Sequence, residues 1–69
     1  MFNKRQQKIE IGDRFVKADD LKTVWVVSGL GSSVVDIPHF QVFREGYESR
    51  VRTLSEKVLM DANYYVRVY

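Results

Sequence analysis

His39 is the only histidine in the chain, and there is no cysteine. A zinc centre needs several nitrogen or sulfur ligands converging on one point, so this chain has no means of building one. The adjacent acids Asp19 and Asp20 read as a polar turn rather than a calcium or magnesium site, which would need clustered carboxylates. His39 follows Pro38, and Ser32 and Ser33 lie a few residues upstream. Nucleophilic catalysis needs hydroxyl, base and orienting group within hydrogen-bond reach, and nothing in the spacing brings them together. Gly29-Leu30-Gly31 lacks the lysine and the following helix of a phosphate loop and reads as a turn. We therefore expect no catalytic residue, no metal and no cofactor.

A recognition chemistry is better supplied. Arg50 and Arg52 share one parity, Tyr65, Arg67 and Tyr69 share another, and Tyr47 lies near a hairpin tip. Lys4, Arg5 and Lys8 cluster before the first acid. Arginine offers a fork of donors and tyrosine a stacking plane, so the set suits an acidic peptide or single-stranded nucleic acid. The same residues also suit a plain surface role, with tyrosines covering the fold and arginine stems packed over them. Glu45, Glu48 and Glu56 lie close by and dilute the positive field on which nucleic-acid affinity depends.

Short β-branched and aromatic runs must position these side chains. They are Arg14–Lys17, Thr23–Leu30, His39–Arg44, Ser49–Leu54 and Tyr64–Tyr69, each bounded by turn residues as in small all-β domains. Trp25 is flanked by valines on both sides and is expected to anchor the core. Phe40 and Val42 fall on one face of their strand. In the next strand we place Val51 inside and both arginines outside. In the last strand, Val66 and Val68 are placed inside and Tyr65, Arg67 and Tyr69 outside. Gly46 is expected at positive φ in a hairpin turn. Ser55 should cap one or two helical turns carrying Val58 and Leu59. Val34 to Ile37 fits either a short strand or an anchored loop ended by Pro38.

The chain has 69 residues, 29% charged and 45% hydrophobic, with a net charge of +2. That is a composition for one globular domain near the lower size limit for independent folding. We divide it into a flexible basic N-terminal tail, residues 1–8, and a single domain, residues 9–69. No run approaches the ~20 apolar residues of a membrane span. No apolar stretch follows the basic start as a secretion signal would require. A cytoplasmic protein is expected, with no membrane partner.

The order of five strands, with a tight hairpin before the fourth and a helical turn before the last, resembles an SH3-like barrel. Gly12-Asp13-Arg14-Phe15 resembles the word that opens a strand in SH3 domains, and Asp61-Ala62-Asn63-Tyr64-Tyr65-Val66 is similar to their closing one. The acidic stretch and the tandem tryptophans of that family's peptide groove are absent here, so the resemblance implies the barrel without implying its proline-peptide binding. The chain also resembles short, uncharacterised bacterial proteins across Gly12–Phe15, Val24–Val27, Phe40–Gly46 and Thr53–Glu56, a group that lends no activity. The expectation is an all-β, five-stranded SH3-like barrel with one short helical turn before the last strand. Its expected task is non-catalytic protein–protein interaction, with homodimerisation included. The alternative is nucleic-acid binding through the basic and aromatic residues.

Overall fold

A computed structural model describes residues 9–31 and 37–68. The expected tail, Lys4, Arg5, Lys8, Val34 and Tyr69 lie outside the described residues. Five strands form one antiparallel sheet in the order β4-β3-β2-β1-β5. They are β1 (Arg14–Lys17), β2 (Asp20–Leu30), β3 (His39–Arg44), β4 (Tyr47–Ser55) and β5 (Tyr65–Val68), with a helical turn α1 (Glu56–Leu59) before β5.

The hairpins explain the element bounds. β2 starts at Asp20, before the valine run, because its carboxylate accepts from the Thr23 hydroxyl at 2.8 Å and from the Lys22 N–H at 3.3 Å. These bonds hold the strand entry open for pairing with β1. β3 and β4 are joined by Glu45-Gly46 alone, and Gly46 has φ of 88°, a conformation glycine adopts without steric cost. Register shifts occur at Val16/Lys17, Val27/Gly29 and Phe43/Arg44. Such irregularities bend strands and increase twist, which curls the sheet. Gly31 ends β2 in a tight place, where a Cβ would lie 2.9 Å from Thr53 Cγ2.

The concave face carries the core. Ile9, Phe15, Trp25, Val27, Phe40, Val42, Leu59 and Tyr65 form one buried cluster, with Leu54, Val58 and Met60 packed against it. Cross-strand partners share a face, and the pairs Phe15 with Trp25, Val27 with Val42 and Phe40 with Leu54 build it. Trp25 is its anchor, 5% exposed.

No ladder joins β4 to β5 among the described residues, so the hydrogen-bonded sheet is open. The turn α1 lies against both of these edge strands. The Ser55 hydroxyl accepts from the Val58 N–H at 3.2 Å, and the Glu56 N–H donates to the Pro38 carbonyl at 2.8 Å. This cap and tether aim Leu59 inward, where it is 1% exposed.

Two expected orientations are corrected. Tyr65 is buried at 5% exposure, whereas Val66 is 44% exposed. β5 pairs Lys17 with Tyr65 and Phe15 with Arg67, so Tyr65 and Arg67 take the core side. The cause lies across the sheet, where Arg67 Nη1 meets Asp13 Oδ2 at 2.7 Å and its guanidinium lies 5.1 Å from the Phe15 ring centroid. Val51, expected inside, is 52% exposed. It pairs with Phe43, and Arg52 pairs with the fully buried Val42. Arg52 thus holds the core-side parity on an edge strand, exposed, with its guanidinium 4.7 Å from the Trp25 ring centroid.

The β5 register is checked by two substitutions. Tyr65→Ala should cost on the order of 3–5 kcal/mol, the range for a large buried aromatic. Val66→Ala should cost less than about 1 kcal/mol. Urea unfolding of both variants decides it, and the reverse ranking would reinstate the inward valine.

Candidate functional site

The β3–β4 hairpin gathers three arginines. Arg44 closes β3 in register with Trp25 of β2. Arg52 lies on β4, and Arg50 falls within the irregular stretch that follows Tyr47. With Trp25 and Val51 they line a shallow cleft of about 150 Å³.

Two of the guanidinium groups lie on aromatic rings. Arg44 Cζ is 4.5 Å from the Tyr47 ring centroid, and Arg52 Cζ is 4.7 Å from that of Trp25. Each contact is worth about 0.5–1 kcal/mol at an exposed site and restrains a long side chain. A guanidinium restrained on a ring still carries its planar fork of N–H donors, the pattern that matches a carboxylate or phosphate.

The local charge balance keeps these donors available. The ion pairs among the described residues join Arg14 to Glu45 at 3.0 Å, Lys17 to Asp19 at 3.8 Å and Arg67 to Asp13 at 2.7 Å. None of them involves Arg44, Arg50 or Arg52. Glu45, the acid next to Arg44 in sequence, is turned to Arg14 instead. Asp20 senses Arg44 only as a background charge. Its carboxyl is held below the usual range first by the Thr23 hydroxyl bond, against a smaller desolvation that raises it; the Lys22 N–H and the charges of Arg44 and Lys17 add to the lowering.

The other expected site residues separate. Tyr47 is exposed beside Arg44, while Tyr65 belongs to the core and is removed from any surface stripe. Arg67 is committed to Asp13, and its Nη2 also lies 3.7 Å from Met60 Sδ. His39 opens β3 with Nδ1 2.8 Å from the Ile37 carbonyl. The carbonyl can only accept, so Nδ1 carries the proton there. Among the described residues no three His, Cys, Asp or Glu side chains gather as metal ligands, and no helix is long and apolar enough to cross a membrane. Arg44 is the member that sequence reading missed. Its signal was the two-residue turn, which folds the residue after Phe43 back toward β4.

A second hollow of about 420 Å³ lies near α1, with Lys17, Asp19, Leu54, Val58, Tyr64 and Tyr65 in its lining. Comparison of the chain with family models, curated proteins and solved structures finds no match.

The Asp20 arrangement has a pH signature. Because the folded value is the lower one, its contribution to stability is present above the unfolded aspartate value and disappears as pH falls through the folded value. In a carbon-detected NMR titration of side-chain carboxyls, Asp20 should titrate below an ordinary aspartate. Thr23→Val should move it back toward the ordinary value. An unmoved titration would assign the lowering to the surrounding charges.

Proposed function

We propose that this chain is a non-catalytic interaction module that recognises an acidic protein segment through Arg44, Arg50 and Arg52. The observation that supports it is the pair of ring-stacked guanidiniums, Arg44 on Tyr47 and Arg52 on Trp25, with no ion pair to either among the described residues. Three cations held together repel one another, and a partner carboxylate relieves that repulsion while meeting a restrained donor. We read the curled sheet with α1 across its open side as an SH3-like barrel left hydrogen-bond-open at β4 and β5.

The aromatic geometry favours protein over nucleic acid. Sequence-tolerant binding of single strands needs ring faces free to stack on bases. Here Trp25 is buried and carries Arg52, Tyr47 carries Arg44, and Tyr65 is in the core. What remains is a charge cluster with modest apolar surroundings, which suits carboxylates.

Trp25 is the only tryptophan, so its fluorescence reports the cleft directly. A glutamate-rich synthetic peptide should perturb that emission saturably at low salt. The Arg50→Glu, Arg52→Glu double variant should weaken binding at least about tenfold, a loss of 1.4 kcal/mol or more. Its thermal melt should stay close to that of the parent, because both side chains are exposed. A single-stranded oligonucleotide run in parallel separates the classes. Stronger binding to it, with a slope of log affinity on log salt near −0.7 per phosphate contacted, would replace the acidic-protein reading. If neither probe binds, the module reading of this cleft falls.

A further inference from the structure

We propose that β4 receives its acidic partner as an added strand, and that the partner segment alternates acidic with apolar residues. The proposal rests on the acidic-segment reading above and specifies how that segment is held.

The first support is the edge itself. β4 has nine residues, of which 51–55 run in unbroken register with β3, and it is hydrogen-bonded to no other strand among the described residues. Its side chains are exposed from Tyr47 through Thr53. In an antiparallel edge strand, alternate residues turn both N–H and C=O outward, a ready template for another extended chain. The opposite edge is less suitable, because β5 has four residues against the nine of β4.

The second support is that the two faces of this edge differ in chemistry. On the core side, Arg52 follows the parity of Val42 and Leu54 follows that of Phe40. On the other side, Val51 ends an apolar row with Phe43 and Val26, set by the pairs Val26 with Phe43 and Phe43 with Val51. Side chains of an incoming strand alternate between these faces. Residues falling beside the arginines gain from being acidic, and those falling beside Val51 gain from being apolar, since Val51 is half exposed at the end of its row.

The third support is charge complementarity, which favours an acidic strand over a second copy of this chain in the register centred on Val51. An antiparallel β4 from another copy, centred on Val51, would set Arg50 opposite Arg52. Like charges directly opposite one another destabilise a strand pair. The arginines thus disfavour self-pairing in that register and attract an acidic strand.

The test uses capped peptides of about eight residues, the length of an ordinary strand, added to the full chain at low salt. One alternates glutamate and valine singly; the other has the same composition arranged in pairs. Amide hydrogen exchange and backbone NMR shifts are read along β4. The alternating peptide should bind at least about tenfold more tightly and should slow exchange at every second amide of β4. Two further peptides carry N-methyl groups on alternate residues, one set for each parity. In an added strand only one parity faces the sheet, so one N-methylated peptide should lose binding and the other keep it. Equal binding of the single and paired arrangements, with unchanged β4 exchange, would overturn strand addition while leaving the acidic-partner reading standing. Failure of every acidic peptide to bind would overturn both. Exchange slowed at β5 instead of β4 would also overturn the proposal.

Discussion

Leu59 fills the gap that hydrogen bonding leaves open. β4 and β5 are the two edges of the sheet, and no ladder joins them among the described residues. Phe15, Trp25 and Val42 share one apolar face of this sheet, which needs cover from water. The turn α1 adds to that cover with one fully buried side chain, and its position depends on two short-range bonds. The Ser55 hydroxyl satisfies an amide that the first turn of a helix leaves unpaired, a contribution of about 1 kcal/mol. The Pro38 carbonyl ties the start of the turn to the residue just before β3. The chain has no cysteine and so no disulfide to hold that turn, and in a domain this small a contribution of about 1 kcal/mol is a sizeable part of the total.

The second organising feature is that both faces of the sheet are apolar. Beneath the core lie Phe15, Trp25, Val27, Phe40 and Val42. The other face has Val16, Val24 and Val66 in one row and Val26, Phe43 and Val51 in another, as the strand registers show. Arg14 enters that face between Val26 and Val68, with its charge met by Glu45 at 3.0 Å. When both parities are apolar, alternation alone does not say which face turns inward. Side chains that can reach across the sheet decide it instead. Arg67 finds Asp13 and Phe15, and Arg52 finds Trp25.

That explains what was legible in the sequence. The five strands, the Gly46 turn, the Ser55 cap and the Trp25 anchor follow from local chemistry and can be read from neighbouring residues. The parity of β5 was not legible, because Tyr64 to Tyr69 is apolar or aromatic at every position except Arg67. Treating arginine as an outward marker then inverted the strand. The same assumption misplaced Val51. The sequence offers Arg50, Arg52 and Tyr47 as candidate recognition residues, but not Arg44, whose place in the same cleft depends on a hairpin only two residues long. Tyr65 shows the converse error: an aromatic side chain suited to a surface stripe is needed as core.

Trp25 belongs to both the core and the candidate site, and this sets a limit on how the two can be separated. Its ring fills the concave face while also supporting the Arg52 guanidinium. Its Nε1 is buried with no acceptor among the described residues, an unmet donor of the kind that costs about 1–3 kcal/mol. Trp25 is 5% exposed on a strand paired on both sides, so the Arg52 guanidinium rests on a ring of the core rather than on a surface loop. Under the acidic-partner proposal, the ligand would meet a donor already restrained, and less side-chain entropy would be lost on binding than with a free surface arginine.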